Sequence, residues 1–290
     1  MIYSIILMTM VHGGVYAMLA VGFSLVFGVA RIINMAHTAF YMLAAYFLFY
    51  FMRTLGLGVL PSIALTILAV ALLGVLTHRF LINRIREHPA AVLLLTVALA
   101  ILFQQVILLL FGGDPALIPP LIKGFIRIKG VPVTYQYILT LGLAAVSLIA
   151  VSLLLAKTKL GIAIRAAAND AEVANLMGIS IGRTGMVTMG IATVLAALAG
   201  IVVAPSQVLL PEMWMAPLVM MLVIVVLGGL GSIKGSIIGA FIIALVETLT
   251  VFLVPQGSYL KVTFALLVMV IVLVVRPGGL FGIIFEEERL

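Results

Sequence analysis

Apolar residues lie in long stretches separated by charges, prolines and turn residues, and nine of these stretches approach the length of a membrane span. A spanning helix needs about 20 mostly apolar residues. The stretches are 3–30, 36–52, 60–76, 90–111, 135–156, 184–207, 215–230, 236–254 and 261–275. Their apolar residues do not alternate with polar ones as in a barrel strand. The pattern predicts an all-α polytopic membrane protein with eight or nine transmembrane helices, forming one domain over residues 1–290.

The second and seventh stretches, 36–52 and 215–230, are short. Irregular backbone is tolerated inside a membrane only where protein buries it or it lines a cavity, and transporters place broken helices at such points. We therefore expect these two stretches to be broken or re-entrant.

Composition agrees with a membrane environment and excludes several kinds of site. The chain is 65% hydrophobic and 9% charged, whereas a soluble domain has about a quarter of its residues charged. It has no cysteine, which excludes disulfides, thiolate metal sites and a cysteine nucleophile. The four histidines are scattered without acids at ligand spacing, so we expect no metal site. No catalytic constellation is evident.

The positions of basic residues predict the orientation. One set of loops and helix ends contains Arg31, Arg79, Arg84, Arg86, Lys157, Lys159, Arg165, Arg183 and Arg276. The alternate set contains Arg53, Lys123, Arg127, Lys129 and Lys261. The larger set is placed in the cytoplasm by the positive-inside rule, with the N-terminus outside and the C-terminus inside. The net charge of +7 is then a topology signal, so we expect no nucleic-acid partner, and the acidic run 286–288 is a solvated tail.

A polar insert interrupts the apolar pattern at residues 164–182. Asn169, three residues before Glu172, fits a variant of the capping box, and Gly178 can take the left-handed backbone that closes a helix. The apolar residues of this short helix fall on one face. They are Val173, Leu176 and Met177. The insert is either an ordinary interfacial helix or a helix that docks on a soluble partner.

Polar residues within the spans are candidates for the substrate pathway or gate, because such groups are costly in lipid. Asn34, His37 and Thr38 share a helical face, and they either hold a turn, with Asn34 capping the second helix, or line the pathway. Gln104 either cross-links helices or meets substrate. Glu247, whose burial as a charge costs about 2.5–3.5 kcal/mol, is expected to face a partner subunit or the pore, or to stay protonated.

Four stretches of sequence carry a family resemblance: "GGVYAMLAVGFSLVFGVARIINMAHTAFYMLAAY" at 13–46, "GIAIRAAANDAEVANLMGISIGRTGMVTMGIATVLAALAG" at 161–200, "GGLGSIKGSIIGA" at 228–240 and "RPGGLFG" at 276–282. They resemble the LivH/LivM permease family of ATP-binding cassette (ABC) importers for branched-chain amino acids, and the chain is most similar to the LivH-type subunit. The chain departs from the family pattern at Thr38, where glycine is common, and at Ser236, where proline is common.

The resemblance implies a type II-like importer permease in the plasma (inner) membrane, forming half of a heterodimeric pore. Its implied partners are a homologous LivM-type permease, two cytoplasmic ATPases, an extracytoplasmic substrate-binding protein and membrane lipid. The chain itself would bind no cofactor, and ATP and Mg would be held by the ATPases. The segment from about 157 to 184 would couple to an ATPase. The implied coupling residues are Arg165, Asn169, Asp170, Glu172, Val173, Leu176, Met177 and Gly178.

Other classes of function fit the sequence less well. A stand-alone proton- or ion-coupled secondary transporter would use Glu247 and the two short stretches. An intramembrane enzyme lacks a catalytic constellation, and a passive channel lacks a repeated ring of charged residues. The sequence has no Gly-x-x-x-x-Gly-Lys-Ser/Thr loop for nucleotide phosphates. Relatives of the family also carry urea, short amides or other amino acids, so the sequence does not identify the solute.

Overall fold

A computed structural model of the chain describes residues 1–128 and 130–282. Lys129, one of the basic residues of the predicted outer loops, and the acidic run 286–288 lie outside the described residues. The twelve α-helices in the described part are α1 Ile2–Ala30, α2 His37–Phe49, α3 Val59–Thr77, α4 Asn83–Ile85, α5 Pro89–Phe111, α6 Tyr135–Lys157, α7 Lys159–Asn169, α8 Ala171–Leu176, α9 Ile181–Val203, α10 Met215–Gly228, α11 Ile233–Leu253 and α12 Gly257–Val275.

Seven of the nine predicted spans correspond to helices that, within the described residues, are long and apolar enough to cross a membrane. The chain is thus a polytopic helical membrane protein. A π-helical turn at Tyr50–Thr54 extends α2, and a second π-helical turn at His78–Ile82 extends α3. Of the two spans predicted to be short, α10 has 14 residues, whereas α2 has 13 and continues into the five-residue turn Tyr50–Thr54. At 1.5 Å per residue α10 covers about 20 Å of a hydrocarbon core of about 30 Å.

The second crossing is broken. After α1 ends, the non-helical chain at Ile32 and Asn34 is buried inside the bundle. Helix α2 begins beside the middle of α1, where His37 Nε2 lies 3.1 Å from the carbonyl oxygen of Leu19. Protein groups satisfy the irregular backbone, because the Met35 amide donates to Thr96 Oγ1 at 3.1 Å. The membrane interior tolerates a non-helical segment under this condition.

The bundle has a buried centre and an apolar rim. Within its most apolar 18-residue stretch, α1 is 78% buried, and the corresponding value for α12 is 6%. The centre is formed by α1, α2 and α9, and close approach of helices depends on small residues. A Cβ atom at Gly200 of α9 would clash with the carbonyl oxygen of Tyr41 in α2.

A β-hairpin was not expected from the sequence. Strands β1 Phe125–Ile128 and β2 Val131–Thr134 pair antiparallel in the segment between α5 and α6. Gly130 has φ of 84°, a backbone angle that the turn between the strands requires. The same segment bonds to the chain after α9 through a bridge between Ala116 and Leu209. The all-α class is confirmed, and this short hairpin is a local β element in one loop outside the bundle.

The connections between the helices lie at the two ends of the bundle. At the end that carries α7 and α8, Arg31 Nη2 donates to the carbonyl oxygen of Ala168 at 2.8 Å. Gly28 near the end of α1 lies close to Gly231, which follows α10. We call this the α8 end. The hairpin, the N-terminus of α1 and the connection between α11 and α12 lie at the opposite end, which we call the hairpin end.

Candidate functional site

The polar insert folds into two helices joined by a sharp turn. Helix α7 begins after Thr158, whose side chain accepts a hydrogen bond from the Gly161 amide at 3.0 Å. A Cβ atom at Gly161 would clash with backbone oxygens of Leu154 and Leu155, so glycine is needed for the close packing of α7 on α6. The buried residues Ile164 and Ala167 fix α7 against the bundle.

The N-terminal cap of α8 is Asp170 and not Asn169. Asn169 is still helical as the last residue of α7, whereas the backbone of Asp170 is extended with φ of −149° and ψ of 112°. Asp170 Oδ1 accepts hydrogen bonds from the amides of Glu172 at 2.9 Å and Val173 at 3.0 Å. The predicted capping box is therefore wrong in its register by one residue, and Glu172 contributes its backbone amide.

The predicted end of α8 is confirmed. Gly178 has φ of 86°, in the left-handed region that favours glycine. The amide of Ile179 donates to the carbonyl oxygen of Ala174 at 3.0 Å, which closes the turn after the helix. Helix α8 thus has a defined start and a defined end, although it is only six residues long.

The apolar side chains of α8 point away from the bundle. Val173, Leu176 and Met177 are 54%, 84% and 79% exposed, whereas Ala174 on the other face is buried. Arg165 and Asn169 of α7 are also exposed beside them. A fixed helix that presents large apolar groups outward is a surface suited to bind a partner. We call Val173, Leu176 and Met177 the α8 apolar face.

The cluster predicted at the start of the second span is buried. Asn34 Oδ1 accepts from the Ala36 amide at 3.1 Å, and its Nδ2 lies 3.5 Å from Met189 Sδ. His37 and Thr38 have no exposed surface. This geometry supports the interpretation that the cluster holds the turn, although Ala36, not Asn34, immediately precedes α2 as its cap residue.

Gln104 links two parts of the bundle. Its Oε1 accepts a hydrogen bond from the indole Nε1 of Trp214 at 2.7 Å. Trp214 immediately precedes α10 and is buried. The contact agrees with the cross-linking role that was one of the two interpretations of Gln104.

Glu247 is buried and paired within the chain. It is 2% exposed, it accepts from Tyr16 Oη at 2.6 Å, and Lys261 Nζ donates to it at 2.8 Å. His12 Nδ1 lies 3.9 Å from Glu247 Oε2, the oxygen to which Tyr16 donates, and has no hydrogen-bond partner among the described residues. Neither Lys261 nor Tyr16 was predicted as a site residue. Their pairing with Glu247 joins three different helices, which sequence spacing does not reveal.

The Glu247 group borders a cavity of about 290 Å³ near the hairpin end. The described residues that line it also include Tyr137 at the start of α6, Gln207 after α9 and Met213 before α10. Of the five predicted pathway residues, Glu247 lines this cavity. The described lining does not include Asn34, His37, Thr38 or Gln104.

Comparisons with known proteins agree on one family. The family model described as "Branched-chain amino acid transport system / permease component" matches residues 5–273. The high-affinity branched-chain amino acid transport system permease proteins BraD of Pseudomonas aeruginosa and LivH of Escherichia coli strain K12 are each 27% identical to the chain. Each alignment covers 93% of this chain and 92% of the relative. No solved structure matches the chain.

Proposed function

The chain belongs to the family of permease components of branched-chain amino acid transport systems, and from this premise we propose the part that it plays in transport. It forms half of the membrane pore of an ATP-driven importer for branched-chain or related amino acids, and α8 receives the force of a cytoplasmic ATPase. The observation that carries the proposal is the α8 apolar face, exposed on a helix that is capped at both ends.

The packing around α8 supports transmission of force. Because six residues are too few for a stable isolated helix, α8 depends on its cap and on buried Ala174 for its shape. Helix α7 is fixed to the bundle by its buried face and by the bond from Arg31 to Ala168. A partner that moves α8 would therefore move α7 and the helices α6 and α9 that flank the insert.

The distribution of basic residues supports a cytoplasmic location for the α8 end. The helix ends and connections there hold the larger set of arginines and lysines, and the positive-inside rule places such connections in the cytoplasm. The N-terminus then lies outside and the C-terminus inside, in the plasma (inner) membrane. The hairpin end would face an extracytoplasmic substrate-binding protein.

The remaining components follow from the chemistry that this chain lacks. Its sequence has no phosphate-binding loop of the Gly-x-x-x-x-Gly-Lys-Ser/Thr kind. Two partner ATPases would hold ATP and Mg²⁺, and a homologous LivM-type permease would supply the other half of the pore. The membership of the family supports this reading over a stand-alone secondary transporter.

A charge on the α8 apolar face tests the proposal. In Leu176→Asp a carboxylate replaces the most exposed side chain of the α8 apolar face, and we expect loss of the ATPase from the complex purified in mild detergent. Asn175→Asp is the matched control, since it adds the same charge at the exposed neighbouring position of α8. Both variants should insert in the membrane, because neither side chain is buried.

The two readouts are the amount of copurified ATPase and ATP-dependent amino-acid uptake. Loss of both in Leu176→Asp alone is the expected result. Normal uptake with a normal amount of ATPase in Leu176→Asp would show that α8 is not the contact. Equal losses in the two variants would indicate a general effect of charge in this segment.

A further inference from the structure

The cavity near the hairpin end has one charged wall. Glu247 and Lys261 form a 2.8 Å ion pair there, with Tyr16 on the second carboxylate oxygen. The side chain of Lys261 is 37% exposed and that of Glu247 is 2% exposed, so the lysine lies at the edge of the protein and the carboxylate is held inside it. The buried, unpaired Nδ1 of His12 adds a polar atom without a partner among the described residues.

The rest of the cavity is mostly apolar. The apolar lining residues include Val15, Leu19, Val202, Val203, Met220 and Val262. Its volume of about 290 Å³ is near the lower end of the range for ligand sites, about 300–1,000 Å³. A small amphipathic solute fits such a space better than a large or wholly polar one.

The two walls match the two parts of one class of molecule. A branched-chain α-amino acid carries an ammonium and a carboxylate on its α-carbon, and an apolar branched side chain on the same carbon. Glu247 can accept from the ammonium, and Lys261 can turn its accessible Nζ to the carboxylate. When the cavity is empty, Glu247 and Lys261 neutralise each other, so neither of these two charges is left unpaired.

We propose that this cavity is a binding site for zwitterionic amino acids with apolar side chains, with Glu247 and Lys261 as the groups that bind the two charges. The inference rests on the proposed function, since it names the place where the permease meets its solute. A contrasting possibility is that the ion pair only fastens α11 to α12, and the experiment separates the two.

The absence of cysteine makes a protection experiment direct. Met213→Cys places one thiol in the cavity lining, and Tyr259→Cys places one at an exposed position of α12 outside the described lining. Both are expressed with the whole transport system in membrane vesicles, and the rate of modification by a small, water-soluble thiol reagent is measured. L-leucine is expected to slow modification at Met213→Cys and to leave Tyr259→Cys unaffected.

The charge requirement is tested with solute analogues and charge variants. The carboxylic acid that lacks the ammonium of leucine, and the amine that lacks its carboxylate, should give no protection at equal concentration. Glu247→Gln and Lys261→Gln should each raise the leucine concentration for half-protection about tenfold to a hundredfold, since each removes a charge-assisted hydrogen bond. If a single variant fails to accumulate, the double variant without either charge replaces it.

Each outcome decides a different point. Protection that survives unchanged in both charge variants, or protection by either analogue as strong as that by leucine, would leave the ion pair a purely structural link and overturn the inference. ATP-dependent leucine uptake without any protection, or without modification of Met213→Cys at all, would also overturn it. A complete system that takes up no branched-chain amino acid would contradict the proposed function instead.

Discussion

At the scale of single residues, Asp170 holds the start of α8. Its Oδ1 accepts from two backbone amides, those of Glu172 and Val173, which have no helical partner at a helix start. Because α8 has only six residues, the loss of these two bonds affects the whole helix. The orientation of the α8 apolar face therefore depends on one carboxylate.

Asp170→Ala should destabilise α8 by about 0.5–2 kcal/mol, the usual cost of removing an N-cap. Asn169→Ala, at the preceding exposed position, should have little effect. Hydrogen exchange measured by mass spectrometry on the segment 171–178 provides the comparison. Faster exchange in both variants to the same degree would contradict the assignment of the cap.

These residues show how far the sequence predicts the site. The apolar face with Leu176 follows from helical spacing, and the end of α8 follows from the left-handed backbone that Gly178 can take, whereas their coupling role stays a prediction. The cap was displaced by one residue, because helix ends are ambiguous by one or two residues in sequence patterns. The partner of Glu247 could not be found, since Lys261 meets it only after α11 and α12 pack side by side.

At the scale of elements, the broken second span depends on close packing between α2 and α9. Helix α2 starts inside the bundle, and Gly200 allows the backbone of α9 to approach Tyr41. The sequence predicts a short second span but not the position of the break between α1 and α2. The hairpin had a signal in its β-branched residues and in Gly130, which was overlooked because the loop was interpreted by its charges.

Gly200→Val should destabilise the protein by about 1–3 kcal/mol, because the added side chain forces α2 and α9 apart. The matched control is Gly142→Ala in α6, since a Cβ atom at Gly142 meets nothing within 4 Å. The midpoint of thermal unfolding in detergent should fall for Gly200→Val and change little for the control. Equal midpoints for the wild type and both variants would refute the close contact.

At the scale of the whole molecule, the chain places its two candidate sites at opposite ends. The α8 apolar face lies at the α8 end, and the cavity beside Lys261 lies towards the hairpin end. A transporter that receives solute on one side and force on the other needs such an arrangement.

Single cysteines test the proposed orientation in intact cells. Met177→Cys, 79% exposed at the α8 end, should react with an impermeant thiol reagent only after the membrane is opened. Tyr259→Cys, 87% exposed at the hairpin end, should react in intact cells. The reverse pattern would require the opposite orientation and would exclude a cytoplasmic motor at α8.

Helix α1 contacts both ends of this arrangement. Arg31, directly after the helix, bonds to α7, and about four turns earlier Tyr16 holds the carboxylate in the cavity wall. The helix is continuous over 29 residues, so a shift imposed at one contact reaches the other. If solute binds in the cavity and an ATPase binds α8, reciprocal linkage requires that solute change the affinity for the ATPase by the same factor by which the ATPase changes the affinity for solute. An empty permease and a loaded one would thus differ in how firmly they hold the ATPase, and loading itself would regulate assembly.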